Sequence, residues 1–490
     1  MECLLYKRML YFCRMRYISY ILIVIFASVN TVGAQQLWDL RKIVDYAMAN
    51  NITVKQSDVQ ARVSDLVYKQ SKLGLYPSVG FSGSASFNSG RNQDPTSYSL
   101  ITQSYVSTGL QLQTSVDIFN WYSKKNTILA NQWELEAARA ATDKIKNDIA
   151  LIVANDYLQI LLTKEQEKIA LVQLQQTRAQ LGNTRKLVNA GSLPELNASE
   201  LEAQEARDSA SYISARGNVV QATLILKSDM NIDAAAPFEV AEPPVELIPI
   251  EKIADLQPEA VYALAIVNLP QQRVNDFKLK SAEKFLDASR GNMYPTFSAF
   301  GSLGTGFNSR ANEIIGSQQL LAPIGKVSVS GVDYTVFPNQ PFTNYSYGKT
   351  AFFRQYDQNF RQSIGLSLSV PIFNNGQLRT NWERSKLNIL NVQLQKEGDN
   401  QKIKQDIYRA YNAALIALEK FSAGEKNVAA SQRTYDFAQK RYAVGMLGTF
   451  ELITNQNNLF RAKLENVLNQ FDYVFKMKVL EFYRGQGLRL

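Results

Sequence analysis

The chain has 490 residues, a formal net charge of +9, two cysteines and no histidine, so it lacks the commonest general base and metal ligand. Its 46% hydrophobic content excludes a polytopic helical membrane protein, which needs several apolar runs of about 20 residues. Lys and Arg are scattered among acidic residues, which argues against nucleic-acid binding. The sequence contains no nucleophile elbow, phosphate-cradling glycine loop or metal-ligand cluster, so it predicts no enzyme and no cofactor.

The first 34 residues have the three parts of a secretory signal peptide. A basic part with Lys7, Arg8, Arg14 and Arg16 precedes an apolar core, 18–29, and the small residues 32–34. We expect cleavage after Ala34 and translation from Met1, Met9 or Met15; the alternative is a retained anchor helix, for which the apolar core is short. Both cysteines precede the cleavage site, so the mature chain has no thiol and a net charge of 9 − 3 = +6.

Four short motifs occur twice in the same order, which predicts two tandem repeats. They are Asn50 and Asn268, Tyr76-Pro77 and Tyr294-Pro295, Ile118-Phe119-Asn120 and Ile372-Phe373-Asn374, and Gly191-Ser192-Leu193 and Gly445-Met446-Leu447. The first two pairs are offset by 218 positions and the last two by 254, so the second copy carries an insertion of 254 − 218 = 36 residues. The repeats are predicted at 35–233 and 258–490, joined by a proline-rich linker, 234–257.

Two proline-free stretches of about 70 residues, 120–191 and 374–445, consist of good helix formers with apolar residues at helical spacing. Each predicts a rod of roughly 100 Å, which must pack against other rods. Each rod ends at a glycine, and a shorter helix returns, at 194–230 and at 449–483. Further helices are predicted at 37–75 and 258–293. The alanine-rich stripe and the many polar residues favour a tube wall with one wet side.

Four strands are predicted at about 76–88, 105–118, 294–307 and 361–373, because the apolar period there changes to two. Apolar residues alternate with Ser, Gly, Gln and Asn, which is typical of transmembrane β-strands; a half-buried sheet of a soluble domain is the alternative. A membrane sheet has no open edge and the smallest usual barrel has eight strands. Several chains must therefore share one barrel, two giving 8 strands and three giving 12.

The loops that join the strand pairs, 88–104 and 308–359, are rich in Gly, Asn and Ser. The second loop contains the aromatic residues Phe337, Phe342, Tyr345, Tyr347, Phe352, Phe353 and Tyr356. These side chains suit either the lipid interface at a barrel rim or packing of the loop on itself.

This order of elements resembles the TolC outer-membrane factor family over almost the whole mature chain. The resemblance rests on the Tyr-Pro entries to the first strands, on the exit motif Val370-Pro371-Ile372-Phe373, and on the tip turns Val444-Gly445 and Ala190-Gly191. In the first repeat the exit motif is Val116-Asp117-Ile118-Phe119, with aspartate in place of proline.

The resemblance implies a mainly α fold with a β part: a homotrimer with a 12-strand β-barrel in outer-membrane lipid and a long periplasmic α-helical barrel. It implies a passive channel for efflux or type I secretion, with a periplasmic adaptor (membrane fusion) protein and an inner-membrane RND or ABC-type transporter as partners. The alternative is a soluble periplasmic coiled-coil scaffold or adaptor, which explains the rods but not the strands. The sequence names neither the cargo nor the energy source of the transporter.

The resemblance also implies a periplasmic aperture, at Tyr442, Glu451, Thr454 and Asn197. The adaptor contact is expected at the tip turns, which contain Ala190, Gly191, Leu193, Val444, Gly445, Leu447 and Gly448. Leu447 stands where some relatives have a latching arginine, and Thr454 where some have a second acid. We therefore expect closure to depend on Tyr442 and polar contacts rather than on a salt bridge.

Overall fold

The computed structural model describes residues 37–93, 98–243, 248 and 251–485. The predicted signal peptide, 1–34, and part of the predicted linker lie outside these residues. The described residues divide into two compact units. The helical unit takes residues up to Ala61, Ala138–Val274 and those from Gln395 onward, and the sheet unit takes Arg62–Ala137 and Asn275–Leu394. None of the described helices combines the length and the hydropathy of a membrane span.

The predicted rods are confirmed as two helices of 67 residues each. The α-helices of the described residues are α1 Leu40–Asn50, α2 Ile52–Leu73, α3 Ser123–Asn189, α4 Glu195–Asp229, α5 Pro258–Asn268, α6 Pro270–Gly291, α7 Phe352–Gln358, α8 Gln377–Ala443 and α9 Thr449–Tyr483. Helices α1, α2, α3 and α4 have 11, 22, 67 and 35 residues, and α5, α6, α8 and α9 have the same lengths in the same order.

The two helices predicted at 37–75 and 258–293 are each interrupted by one non-helical residue, so the expectation of continuous helices was wrong. Leu269 precedes Pro270, whose ring disfavours a helical backbone there, and Leu269 has ψ 133°. At the other break, the Asn51 side chain accepts a hydrogen bond from the Thr53 amide at 2.8 Å. Asn51 therefore caps the start of α2, which a helix running through that position would not need.

The sheet unit contains a four-stranded antiparallel sheet in the order β1-β2-β3-β8. The strands of the described residues are β1 Ser78–Gln93, β2 Leu100–Phe119, β3 Thr296–Asn308, β4 Asn312–Leu320, β5 Gly325–Val329, β6 Val332–Val336, β7 Phe342–Lys349 and β8 Arg361–Ser369. Phe81, Leu112 and Leu303 form one cross-strand row, and the next row is Ser82, Gln111 and Gly304. The sheet therefore has one apolar and one polar face, and its open edges are β1 and β8.

The strands differ from prediction at their ends. Strands β1 and β2 continue into the predicted first loop, because their backbone pairing extends to Gln93 and Leu100. Strand β8 ends at Ser369 rather than near 373, since Pro371 has no amide hydrogen for the ladder. Where the first exit motif has aspartate, Asp117 accepts a hydrogen bond from Ser298 at 2.8 Å and lies 2.9 Å from the Lys124 ammonium.

The second loop, 308–359, contains regular structure that the sequence analysis did not predict. Strand β4 pairs with β7 and β5 with β6, and α7 follows. The β5–β6 turn consists of Ser330 and Gly331, which have φ of 56° and 84°. Positive φ at both central residues defines the type I′ turn that suits two-residue hairpins. The insertion is therefore a structured hairpin rather than an irregular loop.

The two largest buried clusters of the described residues lie in the helical unit. The larger joins α1, α3, α4 and α9 around residues such as Ile43, Tyr157 and Leu226. The second joins α5, α8 and α9 around Val261 and Ile407. The Tyr157 hydroxyl donates to the Ala241 carbonyl at 2.7 Å, which ties the described start of the linker to α3.

A carboxyl pair lies beside the larger cluster, with Asp156 on α3 and Asp229 on α4. Burial, together with the neighbouring Asp229 carboxyl, raises the pKa of Asp156 to about 7. Among the described residues, Asp156 Oδ2 is buried without a hydrogen-bond partner. The protonated form of Asp156 is therefore the form that this site favours.

At a pH above neutral, we expect the Asp156→Asn variant to have a higher thermal midpoint than the wild type. The pKa of Asp156 is raised from its ordinary 3.8 to about 7 in the folded protein. The stability that its protonated form contributes is therefore full below pH 3.8 and is lost as the pH rises through about 7. The measurement is helix melting by circular dichroism at about pH 5 and about pH 8. Asp148→Asn, which removes a surface carboxylate paired with Lys144, is the control. Equal pH dependence in wild type and Asp156→Asn would contradict the prediction.

Candidate functional site at the helix tips

Both rods end in the same turn, with Gly191 after α3 and Gly445 after α8. Their φ values are 73° and 75°, in the left-handed region that favours glycine. The next amide in each turn reaches back five residues, from Ser192 N to Leu187 O and from Met446 N to Arg441 O, both at 2.9 Å. Each glycine amide also donates to the carbonyl three residues earlier, Gly191 N to Val188 O and Gly445 N to Tyr442 O. The two bonds together form the Schellman motif, which satisfies the last helix carbonyls. The glycines therefore fix where each hairpin reverses.

An open groove of about 820 Å³ lies at the two tips of the helical unit. Its walls are formed by Gln180, Asn183, Thr184, Leu187, Ser192, Leu193, Asn197, Gln439 and residues 442–448. None of these lining residues is charged. The groove therefore offers a partner shape, apolar contact and neutral hydrogen-bonding groups.

The structure brings most of the predicted tip residues together but divides the predicted aperture set. The predicted residues that line the groove are Leu193, Asn197, Tyr442, Val444, Gly445, Leu447 and Gly448. Ala190 and Gly191 are exposed in the first turn and do not line it. Glu451 and Thr454 are exposed on the first turns of α9, also outside the groove, and the Thr454 hydroxyl donates to the Phe450 carbonyl at 2.8 Å.

Tyr442 links three helices of one chain. Its hydroxyl lies 3.1 Å from Thr184 Oγ1 on α3 and 3.3 Å from Thr449 Oγ1 on α9. Its half-buried ring packs with Leu447 against a buried cluster of Tyr435, Ala438, Leu452 and Leu459. Leu447 therefore contributes apolar contact at this position.

Several residues around Tyr442 were missed by the sequence analysis. Tyr435 and Ala438 precede Tyr442 by seven and four positions, the spacing of one helix face, so periodicity around Tyr442 could have identified them. Burial raises the pKa of Tyr435, whose hydroxyl accepts from Gln180 Nε2 at 3.1 Å. Helical periodicity could not have identified Thr184, because it lies 258 positions from Tyr442 in the sequence.

A buried polar layer, also missed, joins α3, α4 and α9. Asp208 accepts hydrogen bonds from Thr177 Oγ1 at 2.6 Å and Gln204 Nε2 at 2.7 Å. Gln456 Nε2 donates to Thr177 Oγ1 at 3.1 Å, and all four side chains are buried. Buried polar groups in helix bundles need matched partners, so this layer favours one register of the three helices.

Comparison with known proteins identifies the family. Residues 43–230 and 261–475 match the family model described as outer membrane efflux protein. Outer membrane efflux protein BepC of Brucella suis is 20% identical over 431 residues, 87% of this chain and 81% of BepC. Outer membrane protein TolC of Escherichia coli is 25% identical over 147 residues, which span only 29% of this chain and 30% of TolC.

Among solved structures, a CusC crystal structure has a TM-score of 0.71 at 16% sequence identity and covers 93% of both chains. That likeness extends over both halves of this chain and shows the same fold. The family model covers well over half of the chain in two stretches. The chain therefore belongs to the outer membrane efflux protein family, whose members are outer-membrane channels.

Proposed function

We propose that the chain is the outer-membrane subunit of a tripartite efflux or type I secretion system, and that it conducts cargo passively through a homotrimeric channel. The observation that carries this proposal is the sheet β1-β2-β3-β8. Its apolar face is exposed in the single chain, with Phe81 70% and Ile364 92% accessible. Its edge strands have no neighbour in the sheet of the described residues. In a membrane both features require further copies.

The strand count requires at least two copies, and the resemblance to the TolC outer-membrane factor family implies three. Four strands are too few for a closed barrel, whose smallest usual form has eight. Three chains, with β8 of one beside β1 of the next, give 12 strands and leave no open edge. The long helices α3 and α8 then form the periplasmic tunnel, one wall segment from each copy.

The tips provide the second half of the proposal. The uncharged groove and the two Schellman turns form the docking site for a periplasmic adaptor protein, which connects the channel to an inner-membrane RND or ABC-type transporter. Tyr442 holds the aperture closed through Thr184 and Thr449, while Glu451, Thr454 and Asn197 line it. BepC is named as an efflux protein, which supports efflux for this chain.

The first measurement is the mass of the detergent-extracted protein by size exclusion with light scattering. We expect a protein mass near three times that of the mature chain, found in the outer-membrane fraction, because an unclosed sheet is unstable in lipid. A soluble monomer or dimer would contradict the channel and favour the periplasmic scaffold. Two copies in the membrane would contradict the trimer alone.

A further inference from the structure

Helix α7 packs on the apolar face of the sheet. Its Tyr356 hydroxyl lies 2.6 Å from Thr108 Oγ1, and Thr305 Oγ1 donates to the Tyr356 carbonyl at 2.6 Å. The rings of Phe352 and Phe307 have centroids 4.8 Å apart. By the strand register, Thr108, Thr305 and Phe307 lie on the face of the Phe81–Leu112–Leu303 row. The helix therefore lies on the side that the proposed channel turns toward lipid.

The same helix completes the edge of β3. Strand β8 pairs with β3 only as far as Gly304. Beyond it, Gln355 Oε1 accepts from the Asn308 amide at 2.9 Å, and Asn359 Nδ2 donates to the Gly306 carbonyl at 2.7 Å. These side chains take the place of a strand where the backbone would otherwise lack partners. Gln355 is buried, so α7 is held in one position on the sheet.

The outward side of this segment is aromatic and basic. Phe353 and Phe360 are 83% and 54% exposed, whereas Phe352 is only 45% exposed because its ring also packs on Phe307. Of the basic residues in 349–361, Lys349 and Arg354 are exposed, and Arg354 also pairs with Glu313 on β4 at 3.1 Å. The third, Arg361, lies opposite Gly304 and so belongs to the polar face of the sheet. Aromatic rings beside basic groups are typical of the lipid headgroup region, where the ring enters the acyl boundary and the cation faces phosphate.

The distance to a second aromatic cluster matches the thickness of a membrane. Phe119, Trp121, Tyr122 and Tyr294 lie in contact at the opposite end of the sheet, with ring centroids 5.0 to 5.7 Å apart. Thr108, which contacts α7, and Phe119 are 119 − 108 = 11 positions apart on β2. At about 3.3 Å per residue and a tilt of about 40°, this is roughly 28 Å, against an apolar band of about 25 Å.

We propose that the segment 349–361, centred on α7, is a membrane-interface anchor that seats on the lipid headgroups at the outer rim of the sheet. This inference rests on the proposed channel function, because it requires the apolar face to meet lipid. The partner is the lipid surface itself, and Phe353 is the residue that enters it. The insertion then holds the channel at a fixed depth.

The test is spin-label accessibility in vesicles of phosphatidylethanolamine and phosphatidylglycerol. With Cys3 and Cys13 replaced by serine, the full chain carries single cysteines at Phe353 or, as a second label in the same segment, at Phe360. The references are Ile364→Cys on the apolar face, Ser363→Cys on the polar face and Tyr334→Cys on the β5–β6 hairpin. Collision with oxygen, which dissolves in lipid, is compared with collision with a water-soluble nickel complex.

We expect the label at Phe353 to favour oxygen and to lie shallower than the label at Ile364 but deeper than that at Tyr334. If Ile364 favours oxygen and Ser363 favours nickel, but Phe353 and Phe360 match Tyr334, the anchor is overturned while the channel stands. If Phe353 lies as deep as Ile364, an interfacial position is also overturned. If every label favours nickel, the channel proposal fails and the anchor with it.

Discussion

Leu112→Lys is expected to lower the amount of assembled outer-membrane protein at least tenfold. Leu112 lies on the central strand β2 in the apolar row with Phe81 and Leu303. In the proposed channel this row faces lipid, and a lysine near the middle of the bilayer costs about 2–4 kcal/mol per chain. Since every 1.4 kcal/mol corresponds to about a factor of ten and each trimer contains three such lysines, assembly should be largely lost. The measurement is quantification of heat-sensitive oligomer in the outer-membrane fraction.

The neighbouring position provides the matched control. Gln113 is exposed on the opposite, polar face of the same strand. Gln113→Lys should assemble to a level near that of wild type, because its ammonium would remain in water. If both variants lose assembly equally, the loss has a cause other than contact with lipid, because Gln113 is on the polar face. Equal and normal assembly would mean that the apolar face does not meet lipid.

Tyr442→Ala is expected to raise single-channel conductance in planar bilayers. The substitution removes the hydroxyl contacts with Thr184 and Thr449 and the ring contact with Leu447. Losing a half-buried ring and its hydrogen bonds costs about 2 kcal/mol, so a closed tip held by Tyr442 should lose about that much per chain. This corresponds to roughly a 30-fold shift in a two-state equilibrium. Tyr442→Phe should give a smaller rise, because the ring contact remains.

Phe437→Ala is the control for Tyr442. Phe437 lies five positions earlier on α8, but its side chain is 66% exposed and belongs to none of the clusters around Tyr442. We expect Phe437→Ala to leave the conductance unchanged. Unchanged conductance in Tyr442→Ala would refute its role in closure, and the exposed Glu451 and Thr454 would then be the next residues to test.

The helices and strands could be predicted because their signals are local. A change of apolar period from helical to two marked where β1 and β3 begin, directly after the Tyr-Pro motifs. The glycines at 191 and 445 marked the helix ends, because few residues other than glycine adopt positive φ at low cost. The helix breaks also had local signals, because Asn51 is a good cap and Leu269 precedes Pro270. The strong helical pattern on both sides of each break obscured these signals.

The insertion and the tip site were only partly predictable. The aromatic residues of the second loop left two alternatives, and the structure shows Phe352 and Tyr356 packed on β3 and on each other while Phe353 is exposed. At the tips the turn residues were found, but their polar partners were not. Asp208 looks like any surface acid of an amphipathic helix until its contacts with Thr177 and Gln204 are known.

By itself the sequence determined the family, the two long rods, their glycine turns and the two-faced strands, because each depends on backbone sterics and neighbouring side chains. The tertiary structure decided which residues meet across distant segments: Thr184 with Tyr442, Gln456 with Thr177, and α7 with the apolar face of β3. The physical reason is that such contacts depend on the register between elements separated by up to 279 positions. Side-chain packing and matched hydrogen bonds fix that register only once the chain is folded.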